Sequence, residues 1–245
     1  MKNTKISWTD CTFNPWWGCT KCSPGCANCY AAPLSKRFKK RLLWGKGVPR
    51  EFNSEAVWKQ PLKWDAMARK NHTRTRVFVA SMADVFDAEV PSSWRDALWD
   101  LVRDCTALDF QILTKRPMNI PAMLPPDWED GWPHVWLGTT VEDQLRADER
   151  TPLLQAVPAR LRFLSCEPLL ESVTLDLNGI HWVICGGESG ALSRPMEPQW
   201  ARFLRDQCIA ESVPFHFKQW GGRQPKIAGR ILDGRTWDQF PATRG

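Results

Sequence analysis

The chain lacks what would place it in a membrane or send it out of the cell. Among its 245 residues, no apolar run approaches the ~18 needed to span a bilayer. Its opening, MKNTKISWTD, has none of the apolar core of a signal peptide, so a cytoplasmic protein is expected. There are only four histidines, and none shows metal-ligand spacing, which disfavours an imidazole-rich metal site. There is a single tyrosine, no low-complexity tract and no internal repeat beyond the alternation described below. What is present is a globular composition, 43% hydrophobic and 24% charged, long enough for one larger domain or two small ones. The net charge of +6 permits a polyanionic partner without requiring one. Fifteen tryptophans are unusual; tryptophan stacks on bases but serves equally to cover a core.

From residue 75 onward, short runs rich in Val, Ile, Phe and Leu alternate with helical patterns. The runs are RVFVA (76–80), FQILT (110–114), HVWLG (134–138), RLRFLS (160–165), HWVICGG (181–187) and PFHFK (214–218). Between them lie helical segments at 92–105, 142–157 and 198–212, with Ser92 and Ser93 as candidate N-caps of the first. Strand and helix alternating at this spacing predict βαβ units and a parallel sheet. Earlier in the chain, one strand is expected near Thr12–Asn14 and a helix from Tyr30 to about Arg41. Residues 44–74 read as an irregular insertion rich in Trp and basic residues, with a short helix. The stretch 221–245 reads as a loosely packed tail after a single domain over 1–220.

Nearly every apolar run is followed at once by polar residues. They are Ser81 and Asp84; Thr114, Lys115 and Arg116; Thr139, Thr140 and Glu142; Ser165 and Glu167; Glu188 and Ser189; and Lys218 and Gln219. In parallel α/β architectures the C-terminal strand ends gather on one face and bind ligands there, so these residues are expected to converge.

The densest chemical signal is GCTKCSPGCANCYA at 18–31, with Cys19, Cys22, Cys26 and Cys29 in eleven residues. Disulfides do not suit the expected compartment. A single zinc ion would need a longer excursion between its two CxxC knuckles than Cys22 to Cys26 allows. A thioredoxin-like pair, Cys19 with Cys22, would be expected to open a helix in a small βαβ fold. Closely spaced thiolates also hold iron–sulfur clusters, and Cys22, Cys26 and Cys29 form CxxxCxxC. Gly18 and Gly25 would let the loop turn sharply. Cys105, Cys166, Cys185 and Cys208, scattered through apolar surroundings, read as small buried hydrophobes; Cys11 is ambiguous.

CxxxCxxC in an early loop, after a short strand and before βα units, resembles the radical S-adenosylmethionine (SAM) superfamily. That resemblance implies a partial (β/α) barrel of about six to seven parallel strands with the cluster loop after the first strand. The segments GCTKCSPGCANCYA, SMADVF, LTKRP, FLSCEPLL, GGESG and FKQWG also resemble a phage-associated family of unassigned function known for a three-cysteine motif. In that family the three cysteines correspond to Cys19, Cys26 and Cys29, whereas radical SAM spacing selects Cys22, Cys26 and Cys29. Four thiolates on one cubane would leave no open iron. In radical SAM enzymes the open iron chelates the methionine end of SAM, and an electron from the cluster yields an adenosyl radical that abstracts hydrogen from substrate.

For SAM, the candidate binding residues are Ser81, Asp84, Lys115, Glu167, Gly186, Gly187 and Glu188. Asp84 would receive the ammonium, and the glycines would allow close backbone approach. The literal Gly186-Gly187-Glu188 follows a late strand, so it is not equated with the GGE-like segment found at the second strand of many radical SAM enzymes. Arg116 and Lys218 are candidates for a substrate phosphate. The expected function is a [4Fe–4S] radical SAM-type enzyme acting on a nucleic acid or nucleotide, by base modification or by lesion repair of the spore-photoproduct-lyase type. A flavodoxin or ferredoxin would donate the electron. The alternative is a non-catalytic nucleic-acid binding module stabilised by zinc or by a fully ligated cluster.

Overall fold

The computed structural model describes residues 4–39 and 41–242, the side chains of residues 225 and 226 apart. In chain order the elements are β1 (Cys11–Phe13), β2 (Trp16–Trp17), the cysteine loop with a 3-10 turn at Pro24–Cys26, α1 (Ala31–Lys39), β3 (Glu51–Phe52), α2 (Glu55–Lys70), β4 (Thr75–Val79) and α3 (Ser92–Asp104). There follow β5 (Leu108–Thr114), the short α4 (Ile120–Met123), β6 (Val135–Thr140), α5 (Gln144–Gln155), β7 (Leu161–Cys166), β8 (Trp182–Gly186), α6 (Pro198–Ala210), β9 (Phe215–Gln219) and α7 (Pro225–Ala228).

Strands β2 and β3 form a separate antiparallel ribbon. The other seven make one sheet in the order β1-β4-β5-β6-β7-β8-β9, parallel in the pairs β1–β4, β4–β5, β7–β8 and β8–β9. Within this sheet each strand lies beside the sheet strand that precedes it in the chain. The fold is therefore α/β with a sequentially ordered sheet, and all six apolar runs fall on strands. The cysteine loop follows β2 rather than β1 directly.

The chain divides into two compact units. The first comprises Met1–Lys21, Ala31–Leu137 and Val157–Arg160; the second comprises Cys22–Tyr30, Gly138–Ala156 and Leu161–Gly245. In the first, β1, β4 and β5 supply a core of Phe13, Val77, Val79, Phe110 and Ile112, all fully buried. Trp8 packs on Phe78 at 4.6 Å, and Trp58 lies between Phe13 and Phe52. Buried Arg95 of α3 donates to the carbonyls of Val85 and Asp87, which pins the loop that leaves β4. In the second unit, Phe163, Trp182, Phe215 and Phe217 are fully buried between β7, β8, β9 and their helices.

Four local expectations are corrected. Residues 44–74 contain not a short helix but the 16-residue α2, which carries Pro61 inside it. A proline costs an interior helix one hydrogen bond, which makes the segment read as broken, but packing against β1, β4 and β5 keeps the helix whole. Neither Ser92 nor Ser93 caps α3: Pro91 holds the cap position with extended backbone, and Ser92 is already helical. The helix expected to reach Arg41 ends at Lys39; Lys40 lies outside the described residues. The stretch after Gly221 is packed in its second half, although residues 243–245 lie outside the described residues. Leu232 and Trp237 are buried, the Phe217 N–H donates to the Trp237 carbonyl at 2.9 Å, and the Trp182 indole donates to the Gln239 carbonyl at 2.9 Å. Residues 232–240 thus cover the exposed edge of β9, which would otherwise present an open ladder.

None of the fifteen tryptophans is exposed. Nine are buried outright, so tryptophan here covers the core. Cys11, Cys105, Cys166, Cys185 and Cys208 are buried as well. Among the described residues, no helix is long and apolar enough to cross a membrane.

The ends of β8 and β9 press closely together. A Cβ at Gly187 would sit 2.0 Å from the Trp220 carbonyl oxygen, whereas one at Gly186 would meet Glu167 and Lys218 at 3.4 and 3.5 Å. Gly187→Ala is expected to lower unfolding free energy by about 1–3 kcal/mol, and Gly186→Ala by under about 1 kcal/mol. Urea unfolding of the two variants measures the contrast.

Candidate functional site

In the first unit, residues at the strand ends are held by side-chain hydrogen bonds. Buried Asp84 accepts from the Phe86 N–H at 3.0 Å, the Thr114 hydroxyl at 2.7 Å, the Lys115 N–H at 3.1 Å and Arg116 Nη1 at 2.8 Å. Arg116 Nη2 donates to the Thr20 carbonyl at 2.6 Å, and its Nη1 lies 3.6 Å from Cys19 Sγ. Ser81 Oγ donates to Asn14 Oδ1, which also receives the Met82 N–H. A second buried cation, Arg50, pairs with Asp87 at 2.7 Å and donates to Thr20 Oγ1 at 2.7 Å. Asp84, Lys115, Arg116 and Cys19 are therefore brought together, through the side chain of Asp84 and the backbone N–H of Lys115.

Cys19 is stitched by its backbone to Leu43 and Gly45. Gly18 holds φ +113° there, and a Cβ on it would fall 2.7 Å from the Leu43 carbonyl. Burial pushes the Cys19 thiol up to about 12; the Asp84 carboxylate adds to the rise, and the Arg116 guanidinium works against it.

In the second unit, two clamps hold the remaining cysteines. The first is Glu142, which follows β6 and is fully buried. One of its oxygens accepts the Gly25 N–H at 3.1 Å, and the other accepts Arg150 Nη1 at 2.8 Å. Arg150 also donates to the Thr140 carbonyl. Gly25 does not turn the loop through a left-handed conformation. Its missing side chain lets the backbone approach Glu142, whose Cδ would stand 3.0 Å from a Cβ.

The second clamp is Glu188, at the end of β8. It accepts from Asn28 Nδ2 at 2.9 Å, from the Arg194 N–H at 2.8 Å, and from Arg194 Nε at 2.9 Å and Nη2 at 2.5 Å. Arg194 reaches on to the Pro24 carbonyl at 3.0 Å, and Asn28 to the Leu192 carbonyl at 2.7 Å. The loop between the clamps is wound tightly: the Cys26 N–H donates to Ser23 O and the Cys29 N–H to Cys26 O. The literal Gly-Gly-Glu segment thus grips the cysteine loop, and Gly187 abuts the Trp220 backbone. Glu167 and Lys218 form an ion pair over Gly186.

None of the four cysteines is in a disulfide; Cys22 is exposed, Cys19 and Cys29 half-buried and Cys26 buried. Among the described residues, no three His, Cys, Asp or Glu side chains stand close enough to hold a metal ion. What suits an iron–sulfur cluster is the ligand type and the sequence spacing of Cys22, Cys26 and Cys29, with no histidine and no acidic residue between them in the chain.

The sequence reading missed Asn28, Arg194, Arg150, Arg50 and Asp87, and it gave Glu142 no role in the site. Asn28 had a signal, its place inside the cysteine motif. Arg194 and Arg150 had none, because each meets its carboxylate through tertiary packing.

Burial would raise the Glu188 carboxyl, but the hydrogen bonds from Arg194 and Asn28 hold it below the ordinary value. Such a group stabilises the fold above the ordinary carboxylate range, and that contribution fades as pH falls through its lowered value. Glu188→Gln should therefore destabilise most near pH 7, with the difference from the parent shrinking below about pH 4. Arg194→Ala should cost about 2 kcal/mol at pH 7. Urea unfolding across pH tests both.

A family model described as "Protein of unknown function (DUF5131)" matches residues 3–241. No curated protein and no solved structure matches the chain.

Proposed function

The chain belongs to the DUF5131 family, and from that premise and the cysteine loop we propose a [4Fe–4S] enzyme of the radical SAM type acting on a nucleic acid or nucleotide. The observation that carries the reading is the CxxxCxxC loop itself: three cysteines outside any disulfide, in one compact unit, on a backbone clamped by Glu142 and Glu188. Cys22, Cys26 and Cys29 would hold the cluster. Cys19 is already engaged by Arg116 and by residues 43–45, so this reading leaves it out of the set.

A cluster held by three thiolates would supply one electron to SAM, breaking a carbon–sulfur bond to release methionine and an adenosyl radical that takes a hydrogen atom from the substrate. The protein's part is binding and orientation. Glu142 and Glu188 fix the loop. Glu167 and Lys218, paired beside Gly186, match the two charges of an amino-acid head: the carboxylate suits an ammonium and the ammonium suits a carboxylate. Asp84 already accepts four internal donors, so its role in this reading is to orient Arg116 rather than to take the ammonium.

Anaerobic reconstitution tests the proposal. About four irons per chain, a brown protein whose spectrum changes with SAM, and 5′-deoxyadenosine formed on reduction are expected. Cys22→Ala, Cys26→Ala and Cys29→Ala should each lose the cluster, while Cys19→Ala keeps it. A colourless zinc protein, or a cluster that survives Cys22→Ala but is lost in Cys19→Ala, would overturn the assignment.

A further inference from the structure

Helix α1 begins two residues after Cys29, at Ala31, and its exposed side is strongly basic. Residues 36–41 read Lys-Arg-Phe-Lys-Lys-Arg, five cations in six positions. Lys36 and Arg37 are exposed and make no ion pair among the described residues. Lys39 and Arg41 share a single counter-charge, Glu51, at 2.7 and 2.5 Å. Phe38 stands among these cations with 63% of its surface exposed, the most open aromatic ring in the described chain.

The cations and rings alternate in space. The Arg37 guanidinium lies 5.6 Å from the Phe38 centroid, Phe38 meets Trp17 edge to face at 6.5 Å, and Lys39 stands 5.1 Å from the Trp17 centroid. A ring this open adds nothing to the core, and unbalanced like charges beside it destabilise the folded chain. Both features gain a role against a polyanion that also carries exposed flat rings.

We propose that α1, with Trp17 behind it, is a binding surface for single-stranded nucleic acid. Lys36 and Arg37 contact phosphates, and Phe38 stacks on a base. A single strand fits better than a duplex because only unpaired bases offer their faces to an aromatic side chain. A membrane surface fits less well: besides Phe38, the side chains α1 exposes are Pro33 and charged residues, so there is no apolar stripe to enter lipid. This inference takes the nucleic-acid part of the proposed function as its basis and names the surface and the form of the partner.

The experiment is fluorescence anisotropy with the full chain and a labelled mixed-sequence DNA 20-mer, single-stranded or annealed to its complement, with an RNA of the same sequence as a further arm. The parent should prefer single strands over duplex. Lys36→Glu combined with Arg37→Glu should weaken binding at least tenfold and reduce the slope of log affinity against log salt by about 1.4, two phosphate contacts at ~0.7 each. Phe38→Ala should weaken single-strand binding roughly 5- to 150-fold, the loss of one stacked base, while leaving duplex binding unchanged. All three side chains are exposed, so circular dichroism should show the variants folded.

Equal affinity for duplex, unchanged binding by the charge-reversed variant, tighter binding to anionic vesicles, or full competition by polyglutamate at equal charge would each overturn the proposal. SAM cleavage separates the two readings. A protein that cleaves SAM without using α1 to bind oligonucleotide sinks this inference alone. One that binds through α1 but holds no iron sinks the cluster and leaves this surface standing.

Discussion

A carboxylate with no access to water must be answered by the protein on both oxygens, and Glu142 is such a group. Arg150 neutralises it, and the amide of Gly25 completes it. A buried ion pair of this kind adds little net stability, because desolvation offsets most of its attraction, yet it tolerates no missing partner. Its consequence is geometric. The loop backbone must come within hydrogen-bond reach of a buried side chain, and a side chain at position 25 would crowd that approach. Pro24 fixes the preceding φ, and Cys26 follows in the same 3-10 turn. The short sequence Pro-Gly-Cys is thus constrained as a unit, and the central cysteine of the motif is placed by a residue more than a hundred positions away.

Glu188 performs the complementary task on the next stretch. Asn28 comes from the loop and Arg194 from the segment after β8, and both converge on one carboxylate. With the backbone amides at 25, 26 and 29 already paired, the rotamers of the three cysteines are the main freedom left to this stretch. A loop with few conformations to lose binds a ligand at lower entropic cost than a mobile one. If the loop takes the proposed cluster, the two clamps would bear on its affinity as well as on the loop's shape.

The periodic part of the fold was legible in the sequence. Runs such as FQILT and HWVICGG have the length and the branched side chains of buried parallel strands, and α3 and α6 show clear three- and four-residue steps. What escaped notice depended on contacts distant in sequence. Pro61 argued for a broken helix until packing on β1, β4 and β5 overrode the lost hydrogen bond. Trp237 and Phe240 looked like part of a Gly- and Arg-rich tail, whereas Trp237 packs on Phe215 and Phe240 on Trp182. In the site, the residue types at strand ends were readable, but their partners were not. Nothing in the sequence says that Glu188 faces Asn28, or that Asp84 already has four donors.

Charge and aromatic content, taken as totals, pointed toward nucleic acid for reasons the structure redistributes. The tryptophans that suggested base stacking are committed to packing: Trp99, Trp128 and Trp132 form one cluster, Trp182 lies under Phe240 of the C-terminal segment, and Trp237 of that segment packs on Phe215. Many of the arginines are likewise matched, as Arg74 with Asp109, Arg76 with Asp10 and Arg103 with Asp127. A net charge of +6 is a small residue of many cancelled pairs, so its location matters more than its size. Around α1, four described cations face one glutamate, and the field of that imbalance acts at longer range than any matched pair. An exposed phenylalanine in that field supplies the short-range term that charge alone lacks. In the proposed reading, a polyanion would therefore meet one helix rather than the overall charge of the chain.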